Sequence, residues 1–181
     1  MIRHIVSAAA IAALCILVNA GAFASDLVIG LGADVTSIDP HSNNSAPNNS
    51  IAEQIFNKLT ENDPRQVQKP GLAESWRTVD DLTWEFKLRR GVKFHDGSDF
   101  TAADVAFSIE RPAILNSPGG FTIFTRAIAD KIIVDPYTIR LKTAAPYPNL
   151  PTDMSGLPIV SSKAAKGAMR SEEHTSELQS H

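Results

Sequence analysis

Cysteine is nearly absent from the sequence. The single one, Cys15, sits inside the apolar run IVSAAAIAALCILVNAGAF near the N-terminus. Removal of that run would leave a chain with no thiol, which excludes disulfides and cysteine metal ligands. Histidine is also scarce. Of five, His4 lies in the apolar leader and His174 and His181 in the C-terminal tail, so only His41 and His95 remain for chemistry. Neither sits in a His-rich cluster that would complete a metal site, and no G-x-S-x-G nucleophile elbow occurs. Charge of one sign is missing too. A net −3 gives neither the basic footprint of a nucleic-acid binder nor a strong acidic field. Internal repeats and heptads are absent.

What is present suits a globular protein: 43% hydrophobic and 20% charged residues. The start, MIRH, is basic. The apolar run follows, then Ala22-Phe23-Ala24, with small residues at the two positions a signal peptidase reads. This pattern predicts a cleaved secretory signal over residues 1–24 and a mature start at Ser25. Residues 170–181, RSEEHTSELQSH, show no helical or strand period and carry a net −2 of the chain's charge. From Arg170 to Ser180 they resemble the translation of a widely used sequencing-library adapter, so they are expected to be foreign to the fold, with the native protein running on past Met169.

Between these ends the patterning alternates between helix and strand. DLVIGLG (26–32) predicts a buried strand. SIDPHSNNSAPNN predicts a loop, whose N-N-S triplets at Asn43 and Asn48 match glycosylation sequons by pattern only. SIAEQIFNKL predicts a helix opened by a Ser50/Glu53 capping box, with Ile51, Ile55 and Leu59 on one face. TENDPRQVQKPG predicts a loop or irregular edge, and LAESW a short turn of helix or strand. TWEFKLRR alternates, which predicts Trp84, Phe86 and Leu88 inside and Glu85, Lys87 and Arg89 in solvent. Trp76 and Phe94 fall with the core aromatics rather than with a stacking platform. A short strand Val92 to Phe94 leads to HDGSD (95–99), read as a tight turn at Asp96-Gly97 rather than a metal site. TAADVAFSIERP predicts a helix capped by Thr101 with Asp104, faced by Val105, Ala106 and Ile109, and stopped at Pro112. KIIVDPYTIRLK predicts two strands meeting at Asp135-Pro136. A Pro-rich connector and the short apolar GLPIVSS follow. The mixture is α/β or α+β. GLG at 30–32 is not a dinucleotide fingerprint, because the third glycine and the following helix are missing.

The block PGLAESWRTVDDLTWEFKLRRGVKFHDGSDFTAADVAFSIER resembles the signature region of bacterial extracellular solute-binding proteins of family 5. These are the oligopeptide-, dipeptide- and nickel-binding components of ABC importers. Pro70 to Trp76, Trp84 to Arg89, Phe94 to Gly97, Thr101 to Val105 and Phe107-Ser108 carry the likeness. Ser37 to His41 and IIVDPYTIRLKTAAPYP extend it upstream and downstream. The resemblance implies an α/β fold: the N-terminal part of a two-lobed periplasmic binding protein (type II, cluster C-like) that closes on its solute. Residues 25–57 would start the large lobe, 58–151 would form a small inserted α+β domain, and 152–169 would re-enter the large lobe. The second lobe would lie beyond Met169, and with it the acidic residue that holds a peptide's amino group in peptide-binding members.

An ungapped alignment of the loop after Ser-Leu-Asp-Pro-His places Asn44, Ser45 and Ala46 at the ligand, lending backbone groups to a peptide's main chain. The implied function is capture of a peptide or related small solute in the periplasm for delivery to an ABC permease and ATPase. It implies a monomer with no covalent chemistry, no cofactor, no metal and no nucleic acid. A secreted enzyme or ligand sensor on the same scaffold is the other reading. As it stands, the chain is expected to leave Ile29, Leu31, Ile55 and Leu59 without apolar partners, and so to be sticky and not to bind ligand.

Overall fold

The computed structural model describes residues 28–115 and 120–166. The predicted signal and the adapter-like tail lie outside these residues. At 28–31 no strand forms, and Val28, Ile29 and Leu31 are 89%, 71% and 42% exposed. The strand predicted over 26–32 is therefore not observed where it is described. A buried strand needs a hydrogen-bonded neighbour, and none is paired with it.

From residue 32 onward the contacts form one unit. Its first helix, α1, spans Ala46–Ile55. Its N-cap is Ser45, five residues before the Ser50 that the capping-box pattern predicts. Pro47 fits the first turn because a helix needs no N–H there. Ser50 is then mid-helix, and its hydroxyl donates to the Ala46 carbonyl at 2.9 Å. The helix stops at Ile55 because the next residues are claimed elsewhere. The Asn57 carbonyl accepts from Ile159 N (2.9 Å), and the Lys58 carbonyl from Leu72 N (2.9 Å). Leu59 thus leaves the helix and is fully buried, contrary to the expectation that it lacks partners, whereas Ile55 is 39% exposed.

The stretch 60–71, expected as a loop or irregular edge, forms a small hairpin, β1 (Thr60–Asn62) with β2 (Gln68–Pro70). Asp63 closes its turn by accepting from Arg65 N and Val67 N, both at 2.9 Å. A four-stranded antiparallel sheet follows in the order β3-β4-β6-β5: β3 Ala73–Asp80, β4 Thr83–Leu88, β5 Ile128–Asp135 and β6 Thr138–Thr143. The β3–β4 and β5–β6 turns are local. Asp80 and Asp135 accept from Leu82 N and Tyr137 N at 2.9 and 2.7 Å. On the inner face Phe86, Leu88, Ile139 and Leu141 form the core with Val105 and Ile109.

Glu85 departs from the simple alternation. It is on the outer face as predicted, yet only 3% exposed. Arg77 on β3 and Arg140 on β6 cover it from both sides, each 2.8 Å from one of its carboxylate oxygens. The Arg77 hydrogen bond, then that of Arg140, holds its carboxyl below the usual range.

Helix α2 spans Ala102–Leu115 and runs through Pro112 rather than stopping there. The proline costs one helical hydrogen bond. Burial of Ile109, Arg111 and Pro112 offsets that cost. A short 3-10 turn, Phe121–Phe124, and a four-residue helix α3, Leu150–Asp153, complete the unit. Among the described residues no helix is long and apolar enough to cross a membrane.

Candidate solute-binding site

The SIDPH segment is held by its own side chains before it reaches the predicted contact residues. Ser37 Oγ accepts from Asp39 N at 3.0 Å, and Asp39 Oδ1 accepts from His41 N at 2.9 Å. Arg111 on α2 donates to both Asp39 oxygens, with Nη1 to Oδ1 at 2.7 Å. Burial pushes the Asp39 carboxyl up, but the Arg111 and His41 hydrogen bonds outweigh it and leave the pKa lowered. His41 is fully buried, and its Nε2 donates to the Pro158 carbonyl at 2.8 Å. Its ring lies 5.6 Å from that of Phe121. Burial pulls its pKa down to about 4, so the ring is neutral at pH 7. His41 is therefore a packing and anchoring group.

Beyond this anchor come the predicted contact residues. Ser45 is the N-cap of α1 and is extended (φ −119°, ψ 152°). Its carbonyl accepts from Asn49 N at 2.9 Å, and Asn49 Nδ2 donates to Asn44 Oδ1 at 2.7 Å. Asn48 ties the same loop to Thr36 through its amide oxygen (3.0 Å) and nitrogen (3.1 Å). Asn44 and Ser45 are half-buried and Ala46 is exposed. The three are thus contiguous on a short, well-tethered stretch that is extended at Ser45 and enters α1 at Ala46.

Asn44 also lines a cavity of about 220 Å³ with Asn49, Lys58, Phe124 and Gly156. A second, polar cavity of about 400 Å³ shares Glu53, Lys58 and Ser155 with it and continues to Asn62 and Gln66. Lys58 was not legible as a site residue. It is placed by backbone pairing with Pro158, far along the chain. A third cavity, about 260 Å³, is mainly apolar and opens beside Ile55, Leu72 and Phe100, where the core is incompletely covered.

HDGSD forms the predicted turn. Gly97 adopts φ +80°, and Asp96 Oδ1 accepts from Ser98 N at 2.9 Å. Asp99 is taken by Lys93 at 2.7 Å. Among the described residues no three His, Cys, Asp or Glu side chains come together as metal ligands.

Several residues of the signature block prove to be ties within the fold. Asp104 Oδ2 accepts from Thr101 N (2.9 Å), closing the predicted cap, while its Oδ1 accepts from Ser162 N (2.9 Å). Ser108 Oγ accepts from Val160 N at 3.0 Å. Gly71 lies so close to the Lys58–Leu59 backbone that a Cβ would meet Lys58 O at 2.5 Å.

Comparison with known proteins places these features. The family model for bacterial extracellular solute-binding proteins, family 5 Middle, matches residues 67–177. The glutathione-binding protein GsiB of Escherichia coli K12 is 33% identical over 128 residues, covering 68% of this chain and 24% of that protein. Among solved structures, OppA of Burkholderia pseudomallei superposes with a TM-score of 0.69 at 29% identity, over 76% of this chain and 30% of its own. The ABC transporter-associated periplasmic binding protein DppA of Helicobacter pylori, in complex with the peptide STSA, gives 0.65 at 26%, over 78% and 32%. The fold is thus part of a periplasmic binding protein fold, and the 181 residues span about a quarter of the length of the curated relatives. The chain belongs to the bacterial extracellular solute-binding proteins of family 5.

Proposed function

We propose that this chain is the N-terminal part of the solute-binding component of an ABC importer. It captures a peptide or related small solute in the periplasm and presents it to the membrane permease and its ATPase. The observation that carries this reading is the tethered stretch Asn44-Ser45-Ala46, extended at Ser45 and entering α1 at Ala46. Asp39–Arg111 and His41–Pro158 fix it on one side, and Asn48–Thr36 on the other. The extended backbone at Ser45, entering a helix, suits main-chain contact with a peptide, which tolerates varied side chains. Of the first turn of α1, the backbone N–H groups of Ala46 and Asn48 have no intrahelical acceptor and add donors beside it.

Relatives named for glutathione and for peptide complexes support a solute of this class. Their greater length supports a second lobe contributed by sequence outside these residues. In this reading residues 1–24 are the secretory signal, 25–57 begin the large lobe, 58–151 form the inserted domain and 152–169 return to the large lobe. The protein acts as a monomer by lobe closure and carries out no bond-breaking step.

The test is a thermal-shift screen of the complete protein against defined dipeptides, tripeptides and glutathione, with free amino acids as controls. A saturable rise in melting temperature with a peptide is expected. No shift with any peptide, or cleavage of the peptide during incubation, would refute the reading.

A further inference from the structure

Lys58 occupies an unusual position for a lysine. Its backbone is fixed by the bridge to Pro158 and by Leu72 N donating to its carbonyl at 2.9 Å. Its side chain is only 19% exposed. The ammonium carries three N–H donors. The one partner identified for it is Glu53 Oε1 at 2.9 Å, and the Glu53 side chain is 56% exposed. A pair with one half-exposed member is weak and exchanges readily with another carboxylate. Lys58 and Glu53 also line the cavity that Asn44 lines, so a solute held on the 44–46 stretch borders this lysine and its partner.

We infer that Lys58 anchors a carboxylate of the bound solute, and that the cavity between Asn44 and Lys58 selects an acidic side chain. This rests on the reading of Asn44–Ala46 as the solute-contact stretch. At about 220 Å³ the cavity suits one side chain rather than a whole solute. Its walls combine apolar surface and N–H donors with the Glu53 carboxylate that an acidic side chain would displace. Phe121 and Phe124 offer apolar surface to the methylenes, while Asn49 and Lys58 offer N–H donors to the oxygens. On arrival the solute carboxylate replaces Glu53 on the ammonium, and Glu53 turns to water. Glu61 lies on the outer cavity and does not line this one.

The test is isothermal titration of the complete protein with Ala-Ala-Ala, Ala-Glu-Ala and Ala-Lys-Ala, repeated with Lys58→Met and Lys58→Arg. The wild type is expected to bind Ala-Glu-Ala about tenfold more tightly than Ala-Lys-Ala, the scale of one charge-assisted hydrogen bond. Lys58→Met should bring the two within about twofold, and Lys58→Arg should retain part of the preference. If the wild type binds all three alike, or if the preference survives Lys58→Met, the anchor role is wrong while peptide capture stands. If none of the three binds, the contact-stretch reading fails and takes the anchor with it. Should Lys58→Met fail to fold, the wild-type series still decides.

Discussion

Arg111, on α2, donates to both carboxylate oxygens of Asp39, in the loop that precedes α1. The guanidinium is almost wholly buried, whereas the Asp39 side chain is one-third exposed. Removing Asp39 would therefore strand a buried charge, and removing Arg111 would strand a partly solvated one. Asp39→Ala is expected to destabilise the complete protein by about 3 kcal/mol and Arg111→Met by about 2 kcal/mol. Urea unfolding of both single variants and the double variant would measure the coupling between them. Additive losses would show that the pair does not act as a unit.

His41 supplies an acid-sensitive term. Its pKa is about 4 in the fold against an ordinary 6.5, because burial disfavours the imidazolium. Below pH 6.5 the unfolded chain therefore takes up a proton that the folded chain refuses. The stability is full above pH 6.5 and falls as the pH drops toward 4, by up to about 3 kcal/mol. Asp39 adds a further loss only below its own ordinary pKa of 3.8, since its carboxyl is held lower in the fold. His41→Gln keeps a donor for Pro158 and should flatten the curve between pH 6.5 and 4. An unchanged curve in that variant would show that other groups set the acid sensitivity.

Gly71 explains a fixed point of the signature block. Its N–H donates to the Leu59 carbonyl at 3.2 Å, and a Cβ would lie 2.5 Å from Lys58 O. The obstruction is backbone, so no side chain can swing aside. Gly71→Ala is expected to cost about 2–3 kcal/mol, seen as a lower melting temperature. Because the clash falls on the Lys58 backbone, the variant should also weaken solute binding.

Glu85 closes a three-strand charge ladder with Arg77 and Arg140. Arg77 is mostly solvated, so the ladder is worth less than a fully buried one. Glu85→Gln should lower stability by about 1 kcal/mol, with less effect in high salt. The wild-type carboxyl is held below its ordinary 4.5, so this contribution is present above pH 4.5 and lost as the pH falls below it. Melting temperatures at pH 7 and pH 4, compared between the two proteins, would check the sign.

Much of this architecture is legible residue by residue. Strand β4 shows in the alternation of Trp84, Phe86 and Leu88, and the turns at Asp96-Gly97 and Asp135-Pro136 are local chemistry. The signature block is contiguous, so the family can be read from it directly. What escapes the sequence depends on distant partners. α1 starts at Ala46 and ends at Ile55 because Asn57 and Lys58 pair with the segment at 158–159. The hairpin at 60–70 is polar, and only its turn at Asp63 marks it. Glu85 is covered by arginines on two other strands, and Lys58, fixed by a bridge to Pro158, lines two cavities. No window of neighbouring residues carries that information. The assignment of Asn44–Ala46 as a contact stretch rests on the family likeness, because nothing in its local pattern singles it out from an ordinary loop before a helix.

The most direct measurement is calorimetric titration of the complete protein with Ala-Glu-Ala, followed by mass analysis of the recovered peptide. Capture for import is expected to give saturable one-to-one binding and intact peptide. An absence of binding, or recovery of cleaved peptide, would contradict it.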